Sequence, residues 1–222
     1  MFEEVSIWSP LFLFLCLMKI NSFDAVIFDL GGVIINLDYQ KTIQAFEHLG
    51  MSNFQAVYSQ MAQTDLFDSY ETGKISTQHF INLLLPHLPQ GTSPNKVVAA
   101  WNAMILDVPE QKIELLAMLK QTLPTYLLSN TNDLHIQKVR EEWKKASHEP
   151  MEHSFHKIYL SHEIKMRKPT AQAFVYVLDE NGLEASKTLF IDDTLQHIEG
   201  GKSLGLQTLH LSDPDFLYDF FS

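Results

Sequence analysis

The apolar positions of this chain fall into short unbroken runs separated by longer stretches of helical spacing. Residues 25–28 (AVIF) form a fully apolar, β-rich run that gives way to Asp29, Leu30 and two glycines. That pattern predicts a buried strand running into a tight turn. Similar runs recur at 125–128 (TYLL), 158–160 (IYL), 189–191 (LFI) and 207–211 (QTLHL). Between them lie helical patterns at 110–121, 133–145, 170–181 and 196–204, and Gly182 and Gly205 stop the last two. Regular alternation of strand and helix predicts an α/β domain with a mostly parallel sheet covered on both faces.

Residues 39–106 break the alternation. Apolar positions there keep helical spacing, as at Ile43, Phe46 and Leu49 and again at Phe80, Leu83 and Leu84, with no convincing strand. The stretch predicts an all-helical insertion, or cap, whose most loop-like part is 86–94 (PHLPQGTSP). The expected core is then 18–38 together with 107–222. Glu71-Thr72-Gly73 reads as a helix stop and Ile75-Ser76 as the start of the next helix, hence as architecture rather than chemistry. Trp101 and Met104 read as core or hinge packing, and the pocket-facing residues of the insertion are not legible, with Tyr39 and Tyr70 the only guesses. At the other end, 216–221 (FLYDFF) reads as a docking tail whose exposed aromatics also suit a homodimer contact.

The first residues stand apart. Positions 7–18 are apolar for about twelve residues, short of the roughly twenty that a membrane span needs. Glu3 and Glu4 precede them where a secretory signal has basic residues. No stable membrane span is expected, and Met18 is the expected natural start, with 1–17 outside the domain; a short anchor or a packing helix are the alternatives.

Composition narrows the partners. Hydrophobic residues make up 45% and charged residues 19%, an ordinary globular balance. Sixteen basic against 27 acidic side chains leave a net charge of −11, which repels a polyphosphate backbone and argues against nucleic acid. A small phosphorylated metabolite remains compatible, because a metal and one lysine make a locally positive pocket. Cys16 is the only cysteine, so no intrachain disulfide or cysteine metal cage forms, which fits a reducing, cytoplasmic setting.

In a sheet of this kind ligands bind outside the carboxyl ends of the strands. The residues after successive runs are Asp29, Gly31 and Gly32; Ser129 and Asn130; Arg167, Lys168 and Pro169 across a short loop; and Asp192 and Asp193. One sheet edge thus gathers three carboxylates, a hydroxyl, an amide and an ammonium. Neighbouring carboxylates repel unless a cation neutralises them, and hard oxygen ligands suit magnesium. Asp29 is placed to attack phosphorus, the glycines let backbone groups approach, and Ser129 and Lys168 suit phosphoryl oxygens. The histidines at 148, 153, 156 and 162 read as solvated, since no matching carboxylate or cysteine spacing accompanies them.

Taken in order, FDLGGV, LLSN, RKP and FIDD resemble the four motifs of the haloacid dehalogenase-like hydrolases. ETGKIS, IYLSHEIKMRKP and FIDDTLQHIEG are similar to the sugar-phosphatase branch that includes bacterial α-D-glucose-1-phosphate phosphatases. The resemblance runs from about residue 23 to about residue 210. It implies a Rossmann-like core with a helical cap, and Mg2+-dependent hydrolysis of a small phosphorylated metabolite, a sugar phosphate, through an aspartyl-phosphate at Asp29. It further implies that Asp29, the Gly31 carbonyl and Asp192 ligate Mg2+, with Asp193 holding a metal-bound water. Ser129, Lys168 and Gly32 would meet the phosphoryl group, and Asn130 would line the pocket.

One position departs from most phosphatases of the superfamily. They carry a second aspartate, a general acid and base, two residues after the nucleophile, where this chain has Gly31, as does the sugar-phosphatase branch. The acid is therefore unassigned. Either the cap or water supplies the proton, or the leaving group is activated, as in a sugar-1-phosphate, and the rate depends steeply on its acidity. Two competing functions remain: a non-catalytic metal- or phosphate-binding protein of this fold, favoured only by Gly31, and a haloacid dehalogenase, disfavoured by the Asp192-Asp193 pair.

Overall fold

The computed structural model describes residues 22–54, 56, 58 and 65–221. The apolar segment 1–17, the expected start at Met18 and Cys16 lie outside the described residues. Five strands form a single parallel sheet in the order β3-β2-β1-β4-β5. They are β1 (Ala25–Phe28), β2 (Thr125–Ser129), β3 (Lys157–Leu160), β4 (Thr188–Asp192) and β5 (Gln207–His210). Each expected strand is present within one residue of its expected ends. In register, Phe28 of β1 faces Leu127 of β2 and Ile191 of β4, which brings Asp29 level with the ends of both neighbours.

β1, β2 and β4 are buried along their whole length, because helices cover both faces. Their side chains divide with the two-residue period of a strand. Val26 and Phe28 join Leu127, Leu189 and Ile191 on one face. That face packs against Leu115, Leu116 and Leu119 of one helix and Ile136, Val139 and Trp143 of another. Ala25 and Ile27 join Tyr126, Leu128 and Phe190 on the opposite face, against Phe174, Val177 and Ile198. The edge strand β5 is half exposed, as its mixed sequence QTLH allows.

Between β1 and the helix Glu110–Thr122 lie α1 (Tyr39–His48), α2 (Leu66–Glu71), α3 (Thr77–Leu84) and α4 (Pro94–Asn102), with no strand among the described residues. Asp38 caps α1 by accepting from the Gln40 amide, and Ser76 caps α3 by accepting from the His79 amide. These helices enclose a cluster of their own, with Phe46, Phe67, Tyr70, Phe80, Leu84 and Trp101 at its centre and Leu134 as the contribution from the sheet-side helices. The chain leaves and returns along paired backbone: the Asn36 amide donates to Asp107 O at 3.0 Å, the Leu106 amide to Asn36 O at 3.0 Å, and Leu37 and Ile105 bridge antiparallel.

The remaining helices are α5 (Glu110–Thr122), α6 (Asp133–Ala146), α7 (Ser161–Ile164), α8 (Ala171–Asn181), α9 (Leu195–Ser203) and α10 (Phe216–Phe221). The short loop expected after β3 is instead the single helical turn α7, closed by Lys165 at φ 62°. Four residues are too few to carry a helical period. α10 docks as expected: Leu217 and Phe221 are buried against the sheet, while Phe216 stays exposed. Among the described residues no helix is long and apolar enough to cross a membrane.

Candidate active site

Asp29 follows β1 directly, and its amide donates to Ile191 O at 2.8 Å, extending the ladder by one residue. Asp192 ends β4 and is fully buried. Lys168 lies between them, also fully buried, with Nζ 2.6 Å from Asp29 Oδ1 and 2.6 Å from Asp192 Oδ2. Side chains on neighbouring strand ends and a lysine from the loop after α7 therefore meet at one point, although Lys168 is 139 residues from Asp29 in sequence.

Asp193 completes the group: its ligand oxygen and those of Asp29 and Asp192 all lie within 4.8 Å of one another, the only such cluster among the described residues. Gly32 has φ 71°, and a Cβ there would collide with Asp193 Oδ2, so only glycine fits this turn against that carboxylate. Burial pushes the Asp29 carboxyl up to about 6 although Lys168 is beside it. Burial also opposes ionisation of Asp192, but Lys168 and His197 hold it below the usual carboxylate range. One ammonium does not offset this density of carboxylate. A hard divalent cation does, and the donor set fits one.

Several side chains hold this arrangement in place. Asn130 Nδ2 donates to Lys168 O at 2.9 Å, and the Lys168 amide donates to Asn130 Oδ1 at 2.9 Å. Asn130 thus lines the cavity as expected, but its amide is engaged in clamping the Lys168 backbone. His197 Nδ1 sits 3.0 Å from Asp192 Oδ1, and its Nε2 faces Asn130 at 3.5 Å. Sequence reasoning did not single out His197. Its position five residues after Asp192, in the first turn of α9, was the available signal. Ser129 is buried at the end of β2, and Ser161 Oγ ties the next residue's neighbour by accepting from the Thr131 amide at 2.9 Å and donating to Thr131 O at 2.9 Å.

A cavity of about 340 Å³ opens beside these groups, lined by Gly31, Ser129 and Asn130 from the sheet edge and by Tyr39, Glu71 and Trp101 from the helical segment, among others. Asp29, Ser129, Asn130, Lys168, Asp192, Asp193, Gly31 and Gly32 therefore come to one sheet edge. Of the two tyrosines, Tyr39 reaches the cavity. Tyr70 does not: it is buried against Phe80 and its hydroxyl meets Thr77 Oγ1 at 3.0 Å. Trp101 is packed as expected, stacked on Phe67 and His135, but both Trp101 and Met104 also line the cavity. The histidines form no site: His156 Nδ1 accepts from the Thr125 amide, His153 pairs with Glu149 and His162 with Asp133.

Glu71, read from the sequence as architecture, faces this cavity. It ends α2, and the turn beyond it is fixed by Gly73, where φ is 60° and a Cβ would collide with His162 O of α7. Arg167 Nη2 stands 3.2 Å from Glu71 Oε2 and Arg167 Nη1 contacts Asp68 Oδ1, so the residue before Lys168 holds the end of α2 against the sheet edge. Burial pushes the Glu71 carboxyl up to about 7.

The profile of the haloacid dehalogenase-like hydrolases matches residues 23–205. A D-ribitol-5-phosphate phosphatase of Bacteroides thetaiotaomicron is 30% identical over 82% of this chain and 89% of its own length. A sesquiterpene phosphatase of Aspergillus oryzae is 25% identical over 87% of this chain and 92% of its own. A crystal structure of a haloacid dehalogenase family enzyme from B. thetaiotaomicron, in complex with magnesium and inorganic phosphate, superposes with a TM-score of 0.78. It is 34% identical and covers 84% of this chain and 93% of that one.

Proposed function

The chain belongs to the haloacid dehalogenase-like hydrolases, and from that premise we propose that it is a Mg2+-dependent phosphatase acting through a covalent aspartyl-phosphate at Asp29. Its substrate is a small phosphorylated metabolite, and the ribitol phosphate hydrolysed by a relative at 30% identity favours a sugar or polyol phosphate. The helices of 39–106 act as the cap that encloses it.

The observation that carries this reading is Lys168 Nζ, 2.6 Å from the carboxylates of both Asp29 and Asp192, with Asp193 alongside. Asp29, Asp192, Asp193 and the Gly31 carbonyl are the residues that would hold Mg2+, which when bound offsets negative charge on the nucleophile and on the phosphate. Asp29 attacks phosphorus as the ester bond opens, and water then displaces Asp29 to release phosphate. Lys168 supplies a fixed positive charge to the phosphoryl oxygens, and Asn130 keeps it at that position. Ser129 offers a hydrogen bond to the same oxygens, whereas the Gly32 amide already donates to Ile35 O at 2.9 Å. Three clustered carboxylates suit this chemistry better than metal-free carbon–halogen hydrolysis.

The direct test is hydrolysis of 4-nitrophenyl phosphate with Mg2+ and with chelator. Turnover is expected only with Mg2+, and Asp29→Asn is expected to abolish it, because the amide is a poor nucleophile and a poorer ligand. Activity of Asp29→Asn above a few per cent of the parent removes Asp29 from its role.

A further inference from the structure

A departing alkoxide needs a proton, and Gly31 offers none. Among the described residues, the titratable side chains lining the cavity are Tyr39, Tyr58, Glu71 and His135. His135 is committed on both ring nitrogens: Nε2 lies 3.2 Å from Trp101 O, which only accepts, and Nδ1 lies 3.2 Å from the Asn132 amide nitrogen, which donates. Burial also holds His135 down to about 4, so it carries no transferable proton near neutrality. Tyr39 is largely exposed, but partial desolvation and the carboxylates of Asp193, Asp29 and Glu71 push it up to about 12, too weak an acid for the task. Tyr58 is likewise raised by burial.

Glu71 differs on geometry. Its side chain lines the cavity and keeps 25% exposure, while Oε2 is shielded from solvent and stands beside Arg167 Nη2 at 3.2 Å without hydrogen-bond alignment. The charged and titratable groups around it are Arg167, Tyr58 and Tyr39, with Asp68 competing for the Arg167 guanidinium. Arg167 links this carboxyl to Lys168 by a single peptide bond, so the end of α2 and the reacting groups are held to the same loop.

We propose that Glu71 is the proton donor and acceptor of this site, a reading that rests on the phosphatase assignment above. As Asp29 forms its bond to phosphorus and the ester P–O bond breaks, the Glu71 carboxyl gives its proton to the departing oxygen, and a neutral alcohol leaves. The Glu71 carboxylate then takes a proton from the water that attacks the aspartyl-phosphate. Phosphate departs, Asp29 is regenerated and Glu71 is protonated again.

The test compares kcat/KM for 4-nitrophenyl phosphate and phenyl phosphate in the parent and in Glu71→Gln. A positioned general acid is worth about 10²–10⁴-fold, and the gain is largest for the more basic leaving group. The ratio of the two values, 4-nitrophenyl over phenyl, is expected to rise by about 10²-fold in the variant. The phenyl phosphate rate of the parent is expected to fall as pH rises past about 7, and Glu71→Gln to lose that limb. In the metal-free parent, carbon-13 spectra of labelled glutamate are expected to show one side chain titrating near that pH, absent from Glu71→Gln. Equal losses on both esters, or an unchanged ratio, would reduce Glu71 to a clamp for α2 and overturn the proposal. If Glu71→Gln does not fold, the parent's pH profile and glutamate titration decide, and the absence of both overturns it. A folded parent that turns over neither ester overturns the phosphatase assignment and this proposal with it.

Discussion

Lys168 occupies the most demanding position in the molecule: a fully buried ammonium between two carboxylates, far from them in sequence. Burial opposes its charge, but Asp29 and Asp192 restore it and raise the group above its ordinary value. Removing the ammonium leaves two buried carboxylates facing one another. Lys168→Ala is therefore expected to lose about 2–4 kcal/mol of transition-state stabilisation, roughly 30- to 1000-fold in kcat/KM. Kinetics equal to the parent would show that the ammonium does not meet the reacting phosphate. RKP and the paired aspartates were legible because each ends or follows an apolar run. Glu71 was not, because ETG carries the composition of an ordinary helix stop. Its exposure to the cavity depends on Gly73 lying against α7 and on Arg167 reaching across, neither of which has a local signal.

Among the elements, β1, β2 and β4 were the easiest to read, since strands covered on both faces are apolar without interruption. α7 was missed because a single turn has no period. The contact between α6 and the helical segment depends on His135, near the start of α6. Its donation to Trp101 O and acceptance from Asn132 require the neutral ring with the proton on Nε2. In the unfolded chain this ring titrates near 6.5, and burial holds it down to about 4 in the fold. The unfolded state therefore binds the extra proton first as pH falls. The stabilisation is complete above pH 6.5 and is lost between 6.5 and about 4. It amounts to roughly 1–3 kcal/mol. Chemical denaturation of the parent and of His135→Gln at pH 7.5 and 4.5 should show that much additional loss in the parent alone. The same loss in both proteins would mean that the ring is not held neutral.

At the scale of the whole molecule, the clustered polar groups and the opposite wall of the cavity come from different parts of the chain. The sheet edge gathers Asp29, Ser129, Lys168, Asp192 and Asp193, while the helices between Tyr39 and Asn102 contribute the other wall of a cavity of about 340 Å³. The parallel architecture was readable because alternation and strand ends are local properties. The cavity was not, because Tyr39, Glu71 and Trp101 reach it only after the helical segment folds on its own core. The proposed phosphoryl transfer proceeds in two displacements through Asp29. Each in-line displacement inverts phosphorus, so two restore its configuration. The most direct measurement is hydrolysis of an isotopically chiral thiophosphate ester in labelled water. Net retention at phosphorus is the predicted result, and net inversion would contradict the account, since it requires water to attack the ester without a covalent intermediate.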